Sequence, residues 1–150
     1  MADNEQIPAN WVTPCHGWRH SCYAVTNTGS IGTANLALNK TTSILRVPKG
    51  FQPTDIRIDL TDMDSDTALV VTVGDAGYGV ASDPLYQAAD YDRLVTVNTT
   101  GQTGGSITAL ASTGFLYKYP AETDIILTVT TAAGTPVAGT FKAALFGKIE

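Results

Sequence analysis

The chain has 150 residues, of which 43% are hydrophobic and only 15% charged, and its formal net charge is −5. That length suits one domain with a sizeable core, and recurring apolar runs exclude a disordered chain. Nine Lys and Arg stand against 14 Asp and Glu with no basic cluster, which argues against a nucleic-acid surface, and no apolar run approaches the roughly 20 residues of a membrane span.

The first residues, MADNEQIPAN, are acidic and polar. They predict no secretory signal, so synthesis in a cytoplasm is expected. Residues 1–20 read as an irregular N-terminal arm. They lack alternation, carry Pro8, Pro14 and Gly17, and hold both tryptophans, Trp11 and Trp18, and both histidines, His16 and His20. Aromatic groups outside a periodic element supply large contact area to a partner, or fold back to cap their own domain. Both readings stay open for the arm. Cys15 and Cys22 lie seven positions apart. A cytoplasmic origin favours thiols, and the spacing permits a bridge without requiring one.

Residues 21–150 read as a single all-β domain. Ser21–Thr28 is the first strand, with Cys22 and Ala24 on one face and Tyr23 and Val25 on the other, followed by a turn cluster over Asn27–Gly32. Thr42–Val47 is the next strand, ended by Pro48-Lys49-Gly50. Then comes the clearest signal in the chain, DIRIDLTDMDSDTALVVTVGDAG from Asp55. Ile56, Ile58 and Leu60 alternate with Asp55, Arg57 and Asp59, and Leu69, Val71 and Val73 line a second run. Period two places these side chains on one buried face. The pattern predicts a hairpin. Residues 80–92 are irregular, with one helical turn expected at Leu85–Asp90. Strands resume at Arg93–Val97. Ser106–Ala111 and Phe115–Tyr119 predict a second hairpin, Thr123–Thr130 a clean strand, and Val137–Phe146 a last strand with Phe141, Ala143 and Leu145 inward. Some eight to ten short antiparallel strands with no intervening helix predict a sandwich, jelly roll or closed barrel.

Chemistry is sparse. Asp62, Asp64 and Asp66 suggest an oxygen-rich cation loop, but the sixth position is Thr67 rather than Gly and the twelfth is Val73 rather than Glu. A turn between strands is the simpler reading. Cys15, His16, His20 and Cys22 have zinc-ligand chemistry at a spacing that matches no closed site. Both histidines lie in the arm, so no nucleophile has an oriented base. GDAGYG and GQTGG lack the Lys and following helix of a phosphate loop. The expectation is a non-enzyme with no cofactor, no metal and no catalytic residues.

The series DIRIDLTDMDSDTALVVTVGDAG, DYDRLVTVNTTGQTGG and YKYPAETDIILTVTTAAGTPVAGTFKAALF, spanning about residues 54–146, resembles small capsid decoration (cement) proteins of tailed bacteriophages. The resemblance implies a jelly-roll-like β-sandwich on the outer surface of the phage head, stabilising contacts between capsomers. Its partners would be the major capsid protein and other copies of itself, as a trimer or dimer. Low charge and abundant Thr fit a surface partly covered by partners. In this reading Trp11, His16, Trp18, Arg19 and Tyr23 contact the capsid or another partner, and Tyr78, Tyr86 and Tyr91 make oligomer or loop contacts. The alternatives are a carbohydrate- or receptor-binding module of a tail fibre, using those three tyrosines beside Asp83, Asp90 and Asp92, or another head or tail subunit.

Overall fold

Alternating and β-branched runs become strands wherever a neighbour can complete the ladder. The computed structural model describes residues 13–14 and 22–149. Its strands are β1 (Thr13–Pro14), β2 (Cys22–Ile31), β3 (Thr41–Val47), β4 (Phe51–Leu60), β5 (Val70–Asp75), β6 (Asp90–Asn98), β7 (Gly105–Ile107), β8 (Thr123–Thr131) and β9 (Gly139–Ile149). All pairings are antiparallel, in two sheets ordered β1-β2-β9-β4-β7 and β3-β8-β5-β6. The partners nest: β5 with β6, β4 with β7, β3 with β8 and β2 with β9. One long antiparallel ribbon has therefore been wrapped on itself, which is the jelly roll.

The core lies between the sheets. Ile56, Ile58 and Leu60 of β4, Phe141, Ala143 and Leu145 of β9, and Val25 and Ile31 of β2 come from one side. Val71 and Val73 of β5, Ile125, Leu127 and Val129 of β8, and Leu45 and Val47 of β3 come from the other. The Asn27 amide crosses the gap and donates to the Ile44 carbonyl at 3.0 Å.

Four expectations are corrected. Asp55–Gly77 is not a hairpin: β4 pairs with β7 and β9, whereas β5 pairs with β6 and β8. Each strand has an apolar face to bury, and residues 61–69 make a connection long enough to cross between sheets, where a tight hairpin takes two to five residues. Asn27–Gly32 is mostly strand, because β9 supplies a ladder from Cys22↔Lys148 to Ile31↔Gly139. Over Gly29, the Phe141 ring occupies the space a Cβ would need, 2.7 Å away. Ser106–Ala111 and Phe115–Tyr119 do not pair either. β7 stops at Ile107, and the later segment turns its backbone to the start of β4, with Leu116 N–H donating to Pro53 O at 2.7 Å and Tyr119 N–H to Phe51 O at 3.1 Å. Finally, Leu85–Asp90 contains no helical turn, and Asp90 opens β6. Within the predicted arm, Thr13 and Pro14 pair with Ala24 and Tyr23, adding a short edge to β2.

The aspartate turn sits at the end of the sandwich where β4 and β8 stop. Asp64 is fully buried. Its Oδ2 accepts the Ala68 and Leu69 N–H groups, each at 2.7 Å, and its Oδ1 accepts those of Asp66 and Thr135, at 3.1 and 3.0 Å. Burial pushes the carboxyl pKa up, but the four backbone donors outweigh it and hold the group well below the usual carboxylate range. Asp64 thus ties the β4–β5 connection to the β8–β9 connection.

Candidate docking end

The opposite end is built from three connections: residues 48–50 between β3 and β4, 76–89 between β5 and β6, and 108–122 between β7 and β8. The chain also enters β2 at this end, because Cys22 pairs with Lys148 and Lys148 with Gln52, just after the β3–β4 turn.

The β5–β6 connection is a projecting loop with a fixed base. Tyr78 and Gln87 exchange both backbone hydrogen bonds, each at 3.0 Å. The Tyr78 and Tyr117 hydroxyls both donate to Gln87 Oε1. Burial, with the neighbouring Tyr117 hydroxyl adding to it, raises the Tyr78 pKa to about 12. Gly77, at φ 71°, lies where a Cβ would come within 2.4 Å of the Gln87 carbonyl oxygen. Only glycine combines that backbone conformation with so close an approach.

Beneath the loop lies an ion pair. Arg93 Nε donates to Asp75 Oδ2 at 2.6 Å, and Arg93 Nη2 reaches Asp90 Oδ2 at 3.1 Å. The Asp75 side chain is fully buried, and its Oδ1 accepts the Gly77 N–H at 3.1 Å. Burial alone would lower the Arg93 pKa, but the Asp75 hydrogen bond and charge more than offset it. The guanidinium lies 3.8 Å from the Tyr117 ring centroid. Tyr117 in turn meets the buried Tyr119 edge-on at 5.0 Å. Arg93 therefore joins the ends of β5 and β6, from which the 76–89 loop springs, to the 108–122 loop.

Gly74 fixes how close β6 comes. A Cβ there would lie 1.9 Å from Asp90 O and 2.5 Å from Tyr91 C, both backbone atoms that cannot swing aside. Gly74→Ala is expected to cost about 3 kcal/mol or more through overpacking. In a urea titration this appears as a midpoint lower by about 1–2 M with little change in slope.

The candidate residues named from the sequence divide as follows. Trp11, His16, Trp18 and Arg19 lie outside the described residues, as do Cys15 and His20. Tyr23 is half-buried, packs against the core and pairs with Gly147. Tyr78 is half-buried and supports the loop base. Tyr86 and Tyr91 stay about half exposed, at 47% and 50%. The sequence reading missed the exposed apolar residues beside them: Val80 and Leu85 on one loop, Phe115 and Leu116 on the other. It had assigned Phe115–Tyr119 to a strand.

No protein-family model matches the sequence, and no curated protein matches it significantly. The fold is shared with chains in solved phage capsids. One, in the capsid asymmetric unit of cyanophage Pam1, is 19% identical with a TM-score of 0.69, the match covering 94% of each chain. Another, in the capsid of Ralstonia phage GP4, is 23% identical with a TM-score of 0.66, covering 93% of this chain and 88% of that one. A third, in the acid-stable capsid of Helicobacter pylori bacteriophage KHP30, is 12% identical with a TM-score of 0.50, covering 85% of this chain and 89% of that one. At these identities the likeness is one of fold.

Proposed function

We propose that the chain is a structural protein of a tailed-phage virion, a decoration or cement protein on the outer surface of the head. The observation that carries this reading is the match to the Pam1 capsid chain over 94% of both chains. So complete an overlap means that the matched capsid chain is itself about this size, not one domain of a much larger shell subunit. A small jelly roll added to a lattice acts by mass action. Binding to the assembled state alone stabilises that state, and repetition over the shell adds multivalency. The role is structural rather than catalytic, and the partner is the major capsid protein.

The arm supplies the contact in this proposal, with Trp11 and Trp18 as aromatic anchors and His16 and Arg19 between and beside them. Its entry at the end that carries exposed apolar side chains supports the assignment. The test is cosedimentation with heads assembled without this chain. The full chain is expected to pellet with expanded heads in near-stoichiometric amount. Removing residues 1–20, or replacing both tryptophans with alanine, should leave it in the supernatant with its β-sheet circular dichroism intact. Undiminished pelleting of the truncated chain would remove the arm from the mechanism, and no pelleting of the full chain would remove the decoration reading itself.

A further inference from the structure

A polar cleft opens on the outer face of the smaller sheet. Val71 and Val73 turn into the core, so Thr72 between them points out of that sheet. Beside it β6 bulges. Between the pairs Val73↔Val95 and Asp75↔Asp90, β5 has one residue, Gly74, against residues 91–94 of β6. The extra chain forms one wall of a cleft of about 570 Å³, lined by Thr72 and Thr130 of the sheet and by residues 87–93. That is the size of a small-molecule site, and bulges recur beside such sites.

Three polar groups of the lining are left for a ligand. Thr72 is 5% exposed, and its hydroxyl makes no hydrogen bond among the described residues. A buried hydroxyl without a partner is costly. Gln87 Oε1 accepts the Tyr78 and Tyr117 hydroxyls, which fixes the orientation of the amide. Its Nε2, with two N–H groups, has no acceptor among the described residues. Asp92 is exposed and unpaired among them. Tyr91 adds an aromatic ring half open to solvent.

Charge selects the ligand. Among the described residues of the lining the only cation is Arg93, already shared by Asp75 and Asp90. Three carboxylates around one guanidinium repel an anion. A simple cation suits the carboxylates but leaves the Gln87 N–H groups without an acceptor. A neutral polyol meets both demands, since each hydroxyl donates and accepts. We propose that this cleft binds a neutral saccharide, with one sugar ring against Tyr91 and its hydroxyls shared among Asp92, Gln87 and Thr72. Tyr78 and Tyr86 take no direct part: Tyr78 is committed to Gln87, and Tyr86 lies outside the lining. The site rests on these residues alone and stands whether or not the chain decorates a phage head.

An NMR titration of the isotope-labelled full chain tests this. Glucose, galactose, mannose and N-acetylglucosamine are the neutral probes, putrescine the cation and glucuronate the anion. At least one neutral sugar is expected to shift the amides of Thr72 and residues 87–93 with a Kd of about 1 mM, as befits so few atoms. Putrescine and glucuronate should leave them unmoved. Tyr91→Ala and Asp92→Asn should each raise that Kd about tenfold with Tm unchanged. Thr72→Val should raise it about fivefold while Tm holds or rises, since a methyl group replaces a hydroxyl that bonds nothing in the protein. Tyr86→Ala should bind as the wild type does. The proposal falls if no neutral sugar acts below about 50 mM, if the shifts lie at other amides, if a charged probe acts equally well, or if Tyr91→Ala and Thr72→Val bind normally.

Discussion

Arg93→Ala lowers the stability of the domain by about 3–5 kcal/mol, the cost of leaving a buried carboxylate without its cation. Asp75 has no exposure to fall back on, and its remaining partner is a single N–H from Gly77. For a chain of this length the loss corresponds to a Tm about 10 °C lower by calorimetry. The contrast is Asp75→Leu with Arg93→Met. Removing both charges and keeping the bulk should recover most of the stability, since a buried ion pair adds little over packed apolar side chains. A double variant as unstable as the single one would show that the cost lies in the Tyr117 and Asp90 contacts instead.

Asp64→Ala is the second large effect. Four backbone N–H groups from two connections lose a common charged acceptor, and Tm should fall by roughly 10 °C. The pH dependence follows from the sign of the shift. The folded state holds the Asp64 pKa below its ordinary value. The stabilisation is therefore complete above the unfolded carboxylate value near 4 and is lost as pH drops below it. Tm measured from pH 7 to pH 3 should fall more steeply for the wild type than for Asp64→Asn, so that the gap between them narrows in acid. A constant gap would assign Asp64 a steric role only.

Strand positions were legible because they depend on local alternation. Ile56, Ile58, Leu60, Val71, Val73, Ile125, Leu127 and Val129 are all buried, as period two requires. Partner choice was not legible. The alternation of β4 and β5 is the same whether they pair with each other or face each other across the core, and only the length of the 61–69 connection favours the second. Gly29 read as a turn because its tolerance in a strand depends on Phe141, more than a hundred positions away. The docking end was half visible. Tyr86 and Tyr91 stood out as aromatics in an irregular stretch. Phe115 and Leu116 read as part of a hairpin strand, because an apolar run does not announce where its backbone hydrogen bonds go. Arg93 was only one polar residue at the start of a strand until β6 folded it over Asp75.

The position of β9 governs how the chain can acquire its fold. It lies between β2 and β4, and among the described residues no other strand joins those two. During synthesis the β5–β6 ribbon tip can close early, because its partners are near in sequence. The larger sheet must wait for Gly139–Ile149, which is made after every strand it pairs with. Until then β2 and β4 carry open ladder edges and uncovered apolar faces, the condition that invites pairing with the wrong chain. Folding of this kind, limited by contacts distant in sequence, is slow. Loss of the eleven residues of β9 would remove the shared partner of two strands at once, leaving the nascent chain dependent on chaperones and prone to aggregation.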